Sequence, residues 1–263
     1  MKTQIMAVMN LTPDSFSDGG LVGVSRDQVL TRVQTLIDQG ADWLDLGGES
    51  TRPGAEPVDS QTEQDRVLPA LEWIKAEHSI PCSIDTSNPQ LMLAAASLGA
   101  DMINDVRALS REGAIEAAAQ TELPVVLMHM QGTPNTMQNN PSYQDVEREV
   151  LEFLLARAQR CEQAGIGRDK IVLDPGFGFG KTFEHNVTLF KGLASLCQQW
   201  PVLVGVSRKR LIGDLTGQPI EARDTGSAVA AALAARAGAR WVRVHNVEAT
   251  RDAIAVMEGL SDV

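Results

Sequence analysis

Basic side chains follow two apolar runs in the later part of this sequence. Ser207, Arg208 and Lys209 come directly after one run, and Arg243 and His245 lie at the end of another. Residues two apart on a strand point to the same side, so Arg243 and His245 face one direction. Two basic groups on one face can hold an anion and stabilise the negative charge that grows on a leaving phosphate. The pattern therefore predicts a phosphate-binding site.

Polar acceptors end three other apolar runs, at Asp85, Asn104 and Asp174. Two carboxylates and an amide in one cavity would complement the N–H donors and the carbonyl of an amino-pyrimidinone ring. The two carboxylates would also suit a magnesium ion, and Asp or Asn at such positions can cap a following helix. We favour the heterocycle because an Asn between two Asp suits a ligand of mixed polarity.

Two polar stretches add groups that suit an anion and its counterion. Asn10 ends the first apolar run and offers a neutral oxygen to a hard cation that already carries phosphate oxygens. It opens a turn-rich stretch to Gly20 that is longer than the roughly 2–6 residues of a usual connection, and we expect this stretch to move as a lid. In the second stretch, Asp45–Gly54, Thr51 and Arg52 present a hydroxyl and a guanidinium that suit an anionic ligand.

A glycine-rich stretch, Asp174–Thr182, looks like a phosphate loop but lacks the required glycines. Pro175 stands where a Walker A loop needs its first glycine, and Lys181 stands where a dinucleotide fingerprint needs its third. An ATPase and a nicotinamide enzyme therefore both lose their main support. Phe177 and Phe179 alternate with glycine instead, which favours either stacking on a flat substrate or packing on the rim of the fold.

Short apolar strands and amphipathic helices must position these groups. We predict eight strands that lack polar alternation, as is typical of strands buried on both faces of a parallel sheet: Gln4–Met9, Trp43–Leu46, Cys82–Ile84, Met102–Ile103, Val125–Met128, Ile171–Leu173, Val202–Val206 and Trp241–Val244. The predicted helices are Asp27–Gln39, Gln61–Glu77, Gln90–Leu98, Gly113–Gln120, Tyr143–Ala164, Asn186–Cys197, Thr225–Ala237 and Ala249–Gly259. Glycine follows four of these helices, where a left-handed residue is favoured: Gly40, Gly99, Gly165 and Gly238.

Eight strand–helix units in 263 residues have the count and size of an α/β fold, the (β/α)8 TIM barrel. We favour this closed barrel over a doubly wound open sheet. No Pro- or Ser-rich linker divides the chain, so we expect a single domain over residues 1–263. The polar residues at the strand ends would then meet at the mouth of the barrel, where barrel enzymes hold their active sites.

The composition limits the partners and the compartment. With 23 basic and 34 acidic residues, the formal charge of −11 argues against binding to nucleic acid or to an anionic membrane. Cys82, Cys161 and Cys197 form no C-x-x-C pair, which argues against a disulfide framework or a structural zinc site and fits a reducing compartment. No secretory signal stands at the N-terminus, and no apolar run approaches the ~18 residues of a membrane span. We therefore expect a cytoplasmic protein.

The chain resembles the dihydropteroate synthase family over nearly its whole length. The resemblance rests on eight blocks in family order and at family-like spacing: Asn10–Gly20, Asp45–Gly54, Ser83–Thr86, Ile103–Val106, Met128–Pro134, Asp174–Lys181, Gly205–Lys209 and Arg243–His245. This family of pterin-binding (β/α)8 barrels joins 6-hydroxymethyl-7,8-dihydropterin diphosphate to 4-aminobenzoate, releasing pyrophosphate and 7,8-dihydropteroate in folate synthesis. The resemblance further implies a Mg2+ cofactor, inhibition by sulfonamides and a homodimer.

The resemblance also implies roles for individual residues. The pterin ligands would be Asp85, Asn104, Asp174 and Lys209. The diphosphate ligands would be Asn10, Arg243 and His245, with Asn10 also holding magnesium. The 4-aminobenzoate pocket would be formed by Phe16, Thr51, Arg52, Pro53, Phe179 and Ser207. The catalytic set would be Asp85, Lys209, Arg243 and His245, and Asn246 departs from the Asp expected after the family's Arg-x-His.

These groups predict an SN1-like substitution in which diphosphate leaves the pterin methylene before the amine of 4-aminobenzoate attacks. We expect ordered binding, with the diphosphate substrate first. Two alternatives are a pterin-dependent methyltransferase, which binds no diphosphate, and a non-catalytic pterin-binding protein. The cations Lys209, Arg243 and His245 argue against the first alternative, and the complete loop set with Asn10 and Arg52 argues against the second.

Overall fold

A computed structural model describes residues 2–12, 25–49, 58–133, 137 and 140–260. Within these residues the strands are β1 Gln4–Asn10, β2 Trp43–Gly47, β3 Cys82–Asp85, β4 Met102–Asp105, β5 Val125–Met128, β6 Ile171–Asp174, β7 Leu203–Val204 and β8 Trp241–Val244. The helices are α1 Arg26–Gln39, α2 Ser60–Glu77, α3 Pro89–Ser97, α4 Ala114–Thr121, α5 Val146–Gln163, α6 Phe183–Lys191, α7 Leu193–Gln199, α8 Arg210–Thr216, α9 Asp224–Arg236 and α10 Val247–Gly259. The order confirms the predicted alternation of strands and helices.

All eight strands pair in parallel, in the order β6-β5-β4-β3-β2-β1-β8-β7. A parallel bridge between Leu173 and Val202 joins β6 to the segment that enters β7, so the sheet closes on itself. A doubly wound sheet would reverse its strand order and keep two free edges. The structure therefore confirms the predicted (β/α)8 barrel.

The helix ends follow local sequence signals. Ser25 and Gln28 form a capping box at the start of α1, and Asn88 caps α3, which begins with Pro89. All four glycines predicted to stop helices adopt left-handed backbone angles, with φ between +89° and +99°. Because glycine has no Cβ, these turns reverse the chain without steric cost.

Two predicted elements take a different form in the structure, and one helix was not predicted. The run Asn186–Cys197 was predicted as one helix, but the chain forms α6 and α7, which meet at Gly192. Helix α8 was missed, because Arg210–Thr216 is too short and too polar to show a helical period. The predicted strand Val202–Val206 shrinks to the two paired residues of β7.

Several strands extend further than predicted, into the polar residues that follow each apolar run. Asn10, Asp85, Asn104 and Asp174 lie within their strands rather than after them. Backbone pairing does not depend on the polarity of the side chain, so the ladder continues while the side chain faces a different environment. The register pairs Asn10 with Gly47, Gly47 with Asp85 and Asp85 with Asn104, which places these residues at one level.

The inside of the barrel is packed at its N-terminal end and polar at its C-terminal end. A buried cluster fills the packed end: Met6, Met102, Val126, Val172, Leu203 and Trp241. A second, larger apolar core lies between the strands and the helices. No helix in the described part of the chain is long and apolar enough to cross a bilayer. Within the described ranges, the polar part of the barrel interior lies at the C-terminal end, where barrel enzymes carry out their chemistry.

Candidate active site

The centre of the site is a guanidinium held between two carboxylates. Arg243, on β8, donates from Nε to Oδ2 of Asp45 at 2.5 Å and from Nη2 to Oδ2 of Asp85 at 2.9 Å. Asn104 donates from Nδ2 to both carboxylate oxygens of Asp45, each at 3.3 Å. Four strands thus meet through one hydrogen-bonded network at the mouth of the barrel.

Because this network is buried, its charged members depend on one another for compensation of their charge. The Asp45 side chain is fully buried, and that of Asp85 is 8% exposed. Burial raises the pKa of Asp85, while the adjacent Arg243 guanidinium opposes that rise. A buried ion pair repays its desolvation only when the geometry is good and further hydrogen bonds satisfy the partners. Arg243 therefore offsets part of the cost of burying Asp85.

Asp45 had no assigned role in the sequence prediction, although it makes the shortest of these contacts. The signal was present, since a charged residue interrupts the short apolar run Trp43–Leu46. An unpaired charge inside a buried strand is costly. Such a residue therefore has to meet a cation or a polar ligand within the barrel.

Lys209 lies across Gly205 from Arg243. A Cβ built on Gly205 would stand 3.7 Å from Nζ of Lys209 and 3.9 Å from Cβ of Arg243, so the missing side chain leaves room for both cations. Lys209 donates to the carbonyl of Phe177 at 2.7 Å, and its Nζ lies 4.5 Å from the centre of the Phe179 ring. Phe177 itself is fully buried, so it packs in the core instead of stacking on a substrate.

Asp174 and Lys209 influence each other electrostatically. Burial raises the pKa of Asp174, and Lys209 opposes that rise. Burial lowers the pKa of Lys209 to about 8, and Asp174 opposes that fall. Asp174 also accepts a hydrogen bond from the N–H of Gly176 at 2.7 Å. The structure thus brings the pterin ligands predicted from the sequence into one cavity with Arg243.

A buried lysine fixes the glycine-rich loop that carries Phe177 and Phe179. Nζ of Lys181 donates to the carbonyls of Gly176 and Phe179 at 2.9 and 3.0 Å, and lies 2.8 Å from Nδ1 of His129. Burial and the nearby lysine lower the pKa of His129 to about 3, so the ring is neutral and accepts from the lysine. Sequence reasoning used Lys181 only to reject nucleotide motifs and missed this role.

His245 and Ser207 form the outer part of the cationic wall. Oγ of Ser207 lies 2.9 Å from Nδ1 of His245 and accepts from the His245 N–H at 3.1 Å. Ser207, predicted to bind 4-aminobenzoate, is therefore in direct contact with a residue predicted to bind diphosphate. The next residue, Asn246, caps α10 by accepting from the N–H of Ala249.

Asn10 lies on the same rim as Asp85. A Cβ built on Gly47, between them, would stand 3.9 Å from Oδ1 of Asn10 and 3.8 Å from Oδ2 of Asp85. The described residues contain no group of three His, Cys, Asp or Glu side chains that could hold a metal by themselves. A single amide oxygen fits a magnesium ion whose other ligands are substrate phosphates and water.

Four residues predicted for the site lie outside the described residues: Phe16, Thr51, Arg52 and Pro53. Eight described residues of the site divide into two groups that adjoin at Arg243, while Asn10 lies on the rim and Phe179 lies against Lys209. Acids and an amide form the floor, comprising Asp45, Asp85, Asn104 and Asp174. Basic and hydroxyl groups form the wall, comprising Lys209, Arg243, His245 and Ser207.

Comparison with known proteins places this arrangement in a family. The profile described as pterin binding enzyme matches residues 6–245. Dihydropteroate synthase of Escherichia coli K12 is 48% identical over 255 residues, covering 97% of this chain and 90% of the relative. The Neisseria meningitidis serogroup C dihydropteroate synthase is 50% identical over 264 residues, covering 98% and 93%.

Solved structures agree with these relatives. The Yersinia pestis dihydropteroate synthase in a sulfonamide drug complex superposes with a TM-score of 0.94 at 44% identity, covering 100% of this chain and 95% of the other. The Xanthomonas albilineans dihydropteroate synthase with 4-aminobenzoic acid gives a TM-score of 0.92 at 46% identity, covering 100% and 94%. The fold and the sequence therefore point to the same family of proteins.

Proposed function

The chain belongs to the pterin-binding enzyme family, and from that premise we propose that it is a dihydropteroate synthase. It is a transferase of folate biosynthesis that joins 6-hydroxymethyl-7,8-dihydropterin diphosphate to 4-aminobenzoate. The C–O bond between the pterin methylene and the diphosphate breaks, and the electron pair leaves with pyrophosphate. The amine nitrogen of 4-aminobenzoate then bonds to the methylene carbon and loses a proton.

One observation carries this function: the acids that suit a pterin and the cations that suit a diphosphate lie together at the C-terminal end of the barrel. Arg243 bonds to Asp85 at 2.9 Å, and Lys209 lies across Gly205 from Arg243. A pterin presents N–H donors and a ring carbonyl on one edge, and its methylene substituent extends from the opposite end. The acidic floor would face the N–H edge of the pterin, and the cationic wall would face the diphosphate carried by the methylene.

The floor residues hold and orient the pterin in this proposal. Asp85 and Asp174 accept from the amino and ring N–H groups, and Asn104 supplies both a donor and an acceptor. Lys209 donates to the ring carbonyl while it remains bonded to the carbonyl of Phe177. The negative charge of Asp85 also stabilises the cation that forms on the pterin methylene when diphosphate leaves, which favours the SN1-like path.

The wall residues bind the diphosphate. Only two of the five guanidinium N–H groups of Arg243 are used in its bonds to Asp45 and Asp85. Arg243 and His245 therefore bind phosphate oxygens and stabilise their growing charge. Asn10 would hold a magnesium ion, and such an ion would neutralise charge on the leaving group.

The two described residues of the proposed 4-aminobenzoate pocket contact the other ligand sites. The Phe179 ring lies against Lys209, and Ser207 bonds to His245. This arrangement supports ordered binding, because the diphosphate substrate fixes the groups that form the second pocket. Sulfonamides, which bind the Yersinia relative, would compete for the same pocket. If 4-aminobenzoate binds equally well without pterin and pyrophosphate in calorimetry, ordered binding is wrong.

Pyrophosphate release distinguishes this function from its alternatives. We expect release from 6-hydroxymethyl-7,8-dihydropterin diphosphate to depend on 4-aminobenzoate and to yield one dihydropteroate for each pyrophosphate. A methyltransferase would instead transfer methyl from methyltetrahydrofolate and release no pyrophosphate. A binding protein would take up the pterin without turnover. Either of the last two results would refute the proposal.

A homodimer in the cytoplasm is the proposed state of the protein. Exposed apolar side chains on the adjacent helices α9 and α10 support association: Val229 and Leu233 are 53% and 49% exposed, and Val256 is 61% exposed. Burial of such side chains against a second copy would stabilise a dimer. Light scattering should therefore give twice the chain mass, and the variant L233D should shift it to the monomer, whereas L155D on α5 should not.

The three cysteines are free thiols, which agrees with a reducing compartment.

A further inference from the structure

We propose that Asp224 and Asn246 are positioning residues for the cationic turn, defined as residues 207–209. Asp224 holds the guanidinium of Arg208, and Asn246 holds the carboxylate of Asp224. Together they fix the backbone that places Ser207 and Lys209 in the site. Neither residue belongs to the predicted substrate-binding set. The inference rests on the proposed function only in naming pyrophosphate as the ligand of the wall.

The cationic turn contains a backbone conformation that needs external support. Arg208 has φ of +58°, in the left-handed region that residues with a Cβ rarely adopt. Its neighbours on both sides reach into the site, since Ser207 contacts His245 and Lys209 contacts the carbonyl of Phe177. A change at Arg208 would therefore move two ligand-binding side chains at once.

The start of α9 supplies that support. The N–H of Arg208 donates to Oγ of Ser227 at 2.9 Å, and its carbonyl accepts from Nη1 of Arg223 at 3.1 Å. The Arg208 guanidinium donates from Nε and Nη2 to Oδ1 and Oδ2 of Asp224 at 2.6 and 2.8 Å. This two-point contact fixes the plane of the side chain as well as its distance.

Asn246 connects the same carboxylate to the end of β8. It donates from Nδ2 to Oδ2 of Asp224 at 3.0 Å, and its Oδ1 accepts from the N–H of Ala249 at 3.0 Å. It also directly follows His245, which contacts Ser207 of the cationic turn. The Arg208–Asp224–Asn246 chain thus joins the two segments that carry the proposed diphosphate ligands.

The amide at position 246 is matched to the carboxylate at position 224. The charged groups that act on Asp224 are Arg208, which bonds to it, and His245; the pKa of Asp224 is lowered, chiefly by the hydrogen bond from Arg208. A carboxylate at position 246 could still cap α10, but it would face the ionised Asp224 at hydrogen-bond distance. The amide of Asn246 therefore avoids a repulsion that a carboxylate at this position would introduce.

Adding a carboxylate at position 246, with or without removing the one at position 224, tests the proposal. The variant N246D should weaken binding of inorganic pyrophosphate at least about tenfold in calorimetry and raise KM for the pterin diphosphate more than it lowers kcat, because like charges side by side displace the turn. The defect relative to wild type should shrink as the pH falls below about 5, since one of two adjacent carboxylates then takes up a proton. The double variant D224N/N246D should recover most of the lost affinity.

Two controls separate positioning from general stability. Gln34 donates to Asp38 at 2.7 Å on the exposed face of α1, so Q34E makes the same amide-to-carboxylate change beside an aspartate away from the site. It should leave pyrophosphate affinity unchanged. The variant D224N should keep the fold and weaken pyrophosphate binding, which provides the test if N246D does not fold.

Wild-type pyrophosphate affinity in N246D and D224N would overturn the proposal. So would a double variant no better than N246D, or a loss of thermal stability in N246D without any change in KM or pH profile. Failure of the proposed function gives a different result, because the wild-type protein would then show no turnover dependent on 4-aminobenzoate. In that case binding of inorganic pyrophosphate still decides whether Asp224 and Asn246 position the turn.

Discussion

The Nε atom of Arg243 lies 2.5 Å from Oδ2 of Asp45, a carboxylate that is fully buried in the barrel. This contact sets the orientation of the guanidinium before any substrate arrives. Its Nη2 then reaches Asp85 on the neighbouring strand. Arg243 is therefore shared between the floor, proposed to bind the pterin, and the wall, proposed to bind the diphosphate.

The variant D45N should impair both binding and stability. It keeps the shape of the side chain but leaves Arg243 with one charged partner instead of two, and loss of a buried ionic partner costs about 3–5 kcal/mol. We expect a lower free energy of unfolding in urea and a lower kcat/KM. The control D252N removes an exposed carboxylate paired with Arg251 at 2.9 Å and should change stability by less than ~0.5 kcal/mol. Equal effects of D45N and D252N would contradict the role given to Asp45.

The variant R243A should slow turnover more than it weakens pterin binding. If the guanidinium acts mainly on the charge that develops on diphosphate, its loss should raise the barrier for kcat/KM by at least ~2–4 kcal/mol. R243K should recover only part of this loss, because an ammonium cannot bond to two carboxylates in the same plane. R210A, which removes the exposed side chain of Arg210, provides the control in the same assay. Full activity of R243A would refute its catalytic role.

His129 should make stability depend on pH in the acid range. Burial lowers its pKa to about 3 from the ordinary 6.5, so the unfolded chain takes up a proton that the folded chain excludes. The stability of the folded state is then fully present above pH 6.5 and falls as the pH drops toward 3, by up to about 1.4 kcal/mol per pH unit. The variant H129Q keeps an acceptor for Lys181 but does not titrate. Urea unfolding between these pH values should give a shallower slope for H129Q, and parallel curves would contradict the assignment.

Replacing Gly176 should lower stability through a steric clash in addition to backbone strain. Its φ is +68°, and an added Cβ would lie 1.9 Å from the carbonyl oxygen of His129. Gly165 has φ of +96° but no atom within 4 Å of an added Cβ, so G165A measures the backbone cost alone, about 1–2 kcal/mol. We expect G176A to cost more than G165A in thermal unfolding. It should also raise KM for the pterin substrate, since Phe177 and Phe179 move with the loop.

Equal stability losses in G176A and G165A would contradict the close approach. A larger loss in G176A with an unchanged KM would separate the packing of the loop from its role in the site. The packing of the loop would then contribute to stability but not to binding of the pterin substrate.

The strand–helix alternation and the polar groups at the strand ends could be predicted from local patterns. Apolar runs, helix caps and left-handed glycines depend on neighbouring residues, so a single sequence shows them. The predicted pterin ligands were found in one cavity for the same reason, because every parallel strand of a barrel ends at the same mouth. Strand limits were less accurate, since β3, β4 and β6 continue into polar residues whose side chains face the cavity.

The sequence by itself determined the barrel and the types of groups at its mouth, whereas tertiary structure alone decided which of these groups meet. Arg243 and Asp45 are separated by 198 positions, and their contact depends on closure of the barrel and on the register of β1 with β2 and β8. The pairing of Lys181 with His129 and of Asn246 with Asp224 likewise requires loops from different units to come together. Local patterns encode the direction of a side chain along its own element, but the partner of a buried charge is chosen by the packing of distant elements.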